Sequence, residues 1–66
     1  LARAAELVDV PDDQVLAIYT ALRPGRSTGV ELEEAAATLD GYGATRNAAF
    51  VREAAKVYAE RGLLRE

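Results

Sequence analysis

The chain has 66 residues, of which 29% are charged; its net charge is −3, and it contains no Cys, His, Met or Trp. These absences exclude disulfides, a Cys/His zinc site, a Ser–His–Asp triad and imidazole acid–base chemistry. The negative charge gives no general attraction to nucleic acid or to an anionic membrane. No apolar run approaches the roughly 18 residues of a membrane span and no segment reads as a signal peptide, so we expect a cytoplasmic protein.

The first part of the chain predicts a short helical segment followed by a full helix. The Ala-rich stretch from Leu1 to Val8 predicts a helical tail, with Arg3 and Glu6 as a surface pair. Pro11 ends it, because proline lacks the amide hydrogen and disfavours helical geometry at the preceding residue. The next helix is predicted over Pro11 to Leu22, from apolar residues at the i, i+3, i+4 and i+7 positions: Val15, Ile18, Tyr19 and Leu22.

A turn at residues 23–27, which contains Pro and Gly, separates this helix from a second one. Thr28 is the predicted N-cap of the second helix, with Glu31 reaching back to complete a capping box. Glycines at positions 41 and 43 end the helix, since glycine accepts left-handed backbone angles. We expect its apolar stripe at Leu32, Ala35, Ala36 and Leu39, and its acids Glu31, Glu33, Glu34 and Asp40 in water.

A third helix is predicted from an N-cap at Thr45 to about Arg61, with Gly62 ending it. Its apolar arc covers roughly 200° of the helical wheel, more than a three-helix unit covers by itself. A ring buried at Phe50 would make Phe50→Ala lower stability by roughly 3–5 kcal/mol. The excess arc predicts packing against another chain, although exposed alanines that merely favour helix would give a similar pattern. The arc contains Phe50, Val51, Ala54, Ala55, Val57, Tyr58 and Ala59.

The predicted fold class is therefore all-α. Residues 1–66 form a single helical domain of three main helices plus a short N-terminal helical segment. We expect a small orthogonal or antiparallel helical array that packs on a partner subunit. Small domains without disulfides or metal sites often depend on such a partner.

No motif in the chain predicts a catalytic, cofactor-binding or metal-binding residue. The Gly41–Gly43 turn lacks the third glycine and the preceding strand of a phosphate-binding loop. The aspartates at positions 9, 12 and 13 lack the glycine and distal glutamate of a calcium loop. A DNA-binding helix–turn–helix is disfavoured because the second helix is acidic and repels the phosphates of DNA. Arg26 and Arg46 have no structural role that the neighbouring sequence explains. Two explanations stay open: each arginine pairs with an acidic residue of a partner, or each is simply solvated at the surface.

Two collinear blocks of the sequence resemble a known family. Residues 10–28 contain Val-Pro-Asp-Asp, then Leu-Ala-Ile-Tyr-Thr-Ala-Leu-Arg-Pro and Arg-Ser-Thr. Residues 48–61 contain Ala-Ala-Phe-Val-Arg-Glu-Ala-Ala, then Val-Tyr and Glu-Arg. From about Val10 to Leu64 the chain resembles the C-terminal part of the small (gamma) subunit of adenosylcobalamin-dependent diol and glycerol dehydratases. The resemblance implies that it is the C-terminal part of a longer small subunit.

This resemblance implies a role in converting 1,2-diols or glycerol to aldehydes by a radical mechanism. In the family, the large subunit is a (β/α)₈ barrel that holds substrate and metal ion, and the cobalamin lies between the large and medium subunits. The small subunit is helical, packs on the large one and supplies no catalytic residue. The assembly is a dimer of three-subunit units, and some members lie inside bacterial microcompartments.

The resemblance and the apolar arc together identify candidates for contact with the large subunit. The chain itself is expected to bind no cofactor, no nucleic acid and no membrane. A different class of function stays open, namely a stand-alone helical adaptor or a self-associating module without an enzyme partner. The interface candidates are Arg23, Pro24, Arg26, Arg46, Phe50, Val51, Ala54 and Tyr58.

Overall fold

Capping residues and apolar spacing divide the chain into helices, which a computed structural model describes over residues 5–65. A 3₁₀ turn (Ala5–Leu7) is followed by α1 (Asp12–Ala21), α2 (Gly29–Gly41) and α3 (Thr45–Arg61). Within these residues there is no strand. The all-α prediction, with three main helices and a short N-terminal helical segment, is confirmed. Arg3, of the predicted surface pair, lies outside the described residues.

Most of the predicted helix ends are confirmed to within one residue. α1 begins one residue later than predicted, because Pro11 is its N-cap rather than part of its first turn. At α2 the capping box is complete: the Glu31 amide donates to Thr28 Oγ1 at 3.1 Å, and the Thr28 amide donates to Glu31 Oε1 at 2.9 Å. Gly43 and Gly62 adopt φ values of 80° and 69°, the left-handed geometry expected after a helix.

The start of α3 differs from the prediction. Thr45 is the first helical residue and not the N-cap, which is the buried Ala44 and offers no side-chain acceptor. The carboxylate of Glu6 caps the helix instead. It accepts the Asn47 amide at 2.6 Å and the Arg46 amide at 3.3 Å, and it also accepts a hydrogen bond from Asn47 Nδ2. A residue about forty positions upstream thus caps α3, the role that was predicted for Thr45.

The environment of Glu6 explains the position of Arg46 at the unfavourable end of a helix. Burial raises the pKa of Glu6, but the hydrogen bonds from Asn47 and Arg46 and the Arg46 charge outweigh it, so the net pKa is lowered. The carboxylate is therefore ionised at neutral pH and offsets the arginine charge. No nearby residue was predicted to offset the Arg46 charge; the carboxylate that does so comes from Glu6, about forty residues upstream.

The hydrophobic core lies mainly between α2 and α3. Both helices present alanines where they meet, which lets the two backbones come close. α1 contributes one fully packed residue, Ile18, and the N-terminal segment contributes two. The buried apolar residues are Leu7, Val10, Ile18, Leu32, Ala36, Leu39, Ala44, Ala48 and Val51.

Surface ion pairs reinforce the α2–α3 contact. Arg52 on α3 donates from Nη1 to Asp40 at 2.8 Å and from Nε to Glu33 at 2.9 Å. The bonds to Asp40 and then Glu33 raise the pKa of the Arg52 guanidinium. All three side chains are well exposed to solvent, so these pairs fix the register of the helices more than they stabilise the fold.

The C-terminal residues return to the turn between α1 and α2. The Gly25 amide donates to the Leu63 carbonyl at 2.7 Å, and the Arg65 amide donates to the Ser27 carbonyl at 2.8 Å. The Arg65 side chain also pairs with Glu31. These contacts place the arginine-bearing turn beside the end of α3.

Glu31 makes the stability of this end sensitive to acid. The Thr28 amide and then the Arg65 side chain lower its pKa from 4.5 to about 2. Because the unfolded chain takes up this proton at higher pH than the folded chain, the contribution is complete above about pH 4.5 and disappears as pH falls towards about 2.

We therefore expect Glu31→Gln to reduce the loss of stability between pH 5 and pH 2, because glutamine keeps the cap but has no proton to take up. Urea unfolding midpoints measured across this range check the prediction. Glu34→Gln, at an exposed position of the same helix, is the control. Parallel pH profiles for wild type and Glu31→Gln would contradict it.

Candidate partner interface

The exposed face shared by α1 and α3 carries large apolar side chains. Leu16 is 67% exposed, Tyr19 59% and Phe50 63%. Val8, just before α1, is exposed as well. Neighbouring apolar side chains of this size are unusual on the surface of a protein that acts alone, and they are typical of interaction sites.

Tyr19 and Phe50 border an open apolar groove of about 320 Å³ between the 3₁₀ turn, α1 and α3. The polar side-chain groups in its lining are the Asn47 amide, whose nitrogen donates to Glu6, and the Tyr19 hydroxyl. We call it the α1–α3 groove. It is lined by Leu7, Val15, Ile18, Tyr19, Leu22, Leu39, Asn47, Phe50 and Val51.

The groove exists because α1 packs loosely on the rest of the chain. The backbones of α1 and α3 approach each other closely at few positions. At the far end of the groove, the Tyr58 hydroxyl donates to the Leu22 carbonyl at 2.7 Å, which ties the end of α1 to the last turns of α3. The half-buried Tyr58 thus packs with its apolar ring and links the two helices with the hydrogen bond of its hydroxyl.

The interface candidates predicted on α3 occupy different environments. Phe50 lies exposed at the edge of the groove, whereas Val51 is 1% exposed and belongs to the core. Ala54 and Tyr58 are half-buried. In this conformation Val51 can contact a partner only through the groove that it lines, and the Tyr58 hydroxyl is engaged within the chain.

The other candidates lie at the two ends of the molecule. Arg23, Pro24 and Arg26 are exposed in the turn after α1, and Arg46 is exposed at the start of α3. The structure therefore brings Phe50 and Val51 together, with Arg46 one turn before Phe50 on α3, and places the three turn residues at the other end. Leu16 and Tyr19 were not among the predicted interface candidates, although the small number of polar positions on this helix indicates an excess of apolar surface.

A second recess beside α2 is polar. It is lined in part by Arg26, Glu31 and Arg65. Glu31 and Arg65 pair with each other, which leaves Arg26 as the charged side chain of the recess outside that pair. Across residues 5–65 no cluster of three or more acidic side chains is arranged to hold a metal ion.

Phe50→Ala is expected to lower the free energy of unfolding by less than about 1 kcal/mol, because the ring is largely in water already. The expectation of roughly 3–5 kcal/mol for a buried ring was wrong for this chain by itself. Chemical unfolding of wild type and variant checks this, and a loss above about 2 kcal/mol would show that the ring is packed.

Comparison with known proteins identifies the family. The model of the dehydratase small-subunit family matches residues 1–65. The propanediol dehydratase small subunits of Citrobacter freundii and Salmonella typhimurium are each 58% identical to the chain over 64 residues, which is 96% of this chain. The chain spans 37% of the length of these relatives. No helix in the described part of the chain is long and apolar enough to span a membrane. At this level of identity over nearly the whole chain, the protein belongs to the dehydratase small-subunit family.

Proposed function

We propose that the chain is a non-catalytic part of the small subunit of a cobalamin-dependent diol dehydratase, which converts propane-1,2-diol or glycerol to an aldehyde and water. In this role it stabilises the large subunit. The observation that carries the proposal is the 58% identity, over 96% of the chain, to subunits named for propanediol dehydratase. The exposed apolar residues around the α1–α3 groove support a role in assembly.

The structural roles of four carboxylates support the proposal that this part of the small subunit is non-catalytic. Glu6 and Glu31 cap helices, and Glu33 and Asp40 pair with Arg52. A general acid at neutral pH needs a raised pKa, whereas the pKa values of Glu6 and Glu31 are lowered. These acids are arranged for structure.

Adenosylcobalamin is assigned in this proposal to the other subunits. Its corrin ring carries many amide groups that require hydrogen-bond partners. The α1–α3 groove offers them two polar side-chain groups, the Tyr19 hydroxyl and the amide of Asn47, which already donates to Glu6. The residues of the groove therefore do not fit the cofactor, and no step of the reaction is assigned to them.

The proposed partners are the large and medium dehydratase subunits, in a dimer of three-subunit units. The proposed location is the cytoplasm, in some organisms within a microcompartment. The designation of the relatives as small subunits supports the presence of larger ones.

The test is reconstitution of the enzyme with and without the small subunit. The full-length small subunit is co-expressed with the large and medium subunits from the same organism, and aldehyde formation from propane-1,2-diol and glycerol is measured with adenosylcobalamin present. We expect activity to require the small subunit. Full activity of the other two subunits alone would overturn the stabilising role. A small subunit that joins no dehydratase assembly would favour the stand-alone adaptor.

A further inference from the structure

The α1–α3 groove restricts the kind of segment that can fill it. Its lining is hydrocarbon except for the Asn47 amide and the Tyr19 hydroxyl, so it offers few partners to the backbone N–H and C=O groups of an occupant. Buried backbone groups without partners are strongly destabilising. The occupant must therefore satisfy its own backbone hydrogen bonds, as an α-helix does. Strand addition is not available here, since residues 5–65 present no sheet edge.

The dimensions of the groove suit a short amphipathic helix. α1 has ten residues, which corresponds to a length of about 15 Å. A partner helix that lies along the groove over this length presents its side chains at positions i, i+3 or i+4, and i+7 to the floor of the groove. Tyr19 on one side and Phe50 on the other then cover the entering side chains, as aromatic residues commonly do at interaction hot spots.

The two ends of the groove carry opposite charge. α1 and α3 run side by side in the same direction, since Glu6 binds the start of α3 near the start of α1, and Leu22 binds Tyr58 near the ends of both. The acids Asp9, Asp12 and Asp13 lie exposed at the first end.

At the second end Arg23, Arg26 and Arg61 are exposed, and the bond from the Gly25 amide to the Leu63 carbonyl holds the turn and the end of α3 together. Among the described residues of opposite sign, Arg46 is exposed at the first end and Glu60 at the second, where Glu31 is also exposed but pairs with Arg65. Because each end keeps an excess of one sign, a bound helix is favoured in one orientation, with its basic end at the aspartates and its acidic end at the arginines.

We propose that the α1–α3 groove receives an amphipathic helix from another dehydratase subunit, held by apolar side chains under Tyr19 and Phe50 and oriented by the opposite charges at the two ends. The inference rests on the proposed function, because membership of a small-subunit family is what selects another subunit over a second copy of this chain.

The test uses single cysteines, since the 66 residues contain none of their own. Phe50→Cys places a thiol in the lining of the groove, and Leu16→Cys places one on the exposed surface of α1, one turn before Tyr19. Val30→Cys, at a position on α2 that is 70% exposed, is the control. Each is made in the full-length small subunit. Labelling by a maleimide is timed by mass spectrometry in the isolated subunit and in the co-expressed assembly. We expect assembly to slow labelling at positions 16 and 50 at least about tenfold and to leave position 30 unchanged.

Each other outcome is decisive. If the assembly forms and all three thiols react at their free rates, the groove is not the contact, although the proposed function stands. If positions 16 and 50 are already protected in the isolated subunit, a second copy or another part of the same polypeptide fills the groove, and the inference is overturned. If the small subunit without substitutions forms no assembly, the proposed function itself is overturned.

A charge test addresses the orientation. Asp13→Lys and Arg61→Glu are each expected to weaken assembly several-fold at low salt, while Lys56→Glu, on the polar side of α3, is the control. Assembly unaffected by either reversal would overturn the proposed orientation.

Discussion

Leu32→Ala is expected to lower the free energy of unfolding by about 3–5 kcal/mol. Leu32 is 0% exposed and is among the largest fully buried side chains of the core. The shorter alanine side chain loses the transfer free energy of the missing carbons. It also leaves a cavity in the core between α2 and α3. In a domain of 66 residues this is a large part of the total stability.

Urea unfolding followed by circular dichroism measures this loss. Val30→Ala, two residues earlier on the same helix and 70% exposed, is the matched control and should change stability by less than about 0.5 kcal/mol. If Leu32→Ala and Val30→Ala lost similar amounts, the burial of α2 against α3 would be incorrect.

Ala48→Leu is expected to lower the free energy of unfolding by about 1–3 kcal/mol by overpacking. Ala48 is 0% exposed and belongs to the hydrophobic core, so three further carbons must displace the side chains around it. Leucine has a helix propensity similar to that of alanine, so the loss comes from packing alone.

Ala49→Leu tests this reasoning at the neighbouring position, which is exposed. We expect its unfolding midpoint to stay close to that of the wild type. An Ala48→Leu variant as stable as Ala49→Leu would mean that the two helices are farther apart than described.

The sequence predicted the helices well because their signals are local. The capping box at Thr28, the break at residues 23–27 and the glycine at position 62 depend on neighbouring residues only. The stripe on α2 follows helical periodicity, and Leu32, Ala36 and Leu39 are buried as predicted.

The sequence did not reveal the features that depend on distant contacts. Glu6 caps α3 from about forty residues away, and no pattern near Thr45 indicates this. The helical wheel placed Phe50 and Val51 in the same apolar arc, but only the position of α2 decides that Val51 is buried and Phe50 exposed. For the same reason the apolar spacing that predicted α1 could not show that Tyr19 is exposed.

The exposed apolar residues and the family membership lead to one account. A small helical domain buries α2 and α3 against each other, holds α1 loosely, and leaves the α1–α3 groove for a partner. The polar contacts of the chain cap helices and set their register, and the proposed chemistry belongs to the other subunits. The substitutions at Leu32 and Ala48 test the fold, whereas those at the groove test the assembly.

The most direct test of the central claim is the native mass of the material purified through a tag on the full-length small subunit after co-expression with the large and medium subunits. The account predicts a complex that contains all three subunits. Recovery of the small subunit alone, as a stable monomer free of the other two, would contradict it.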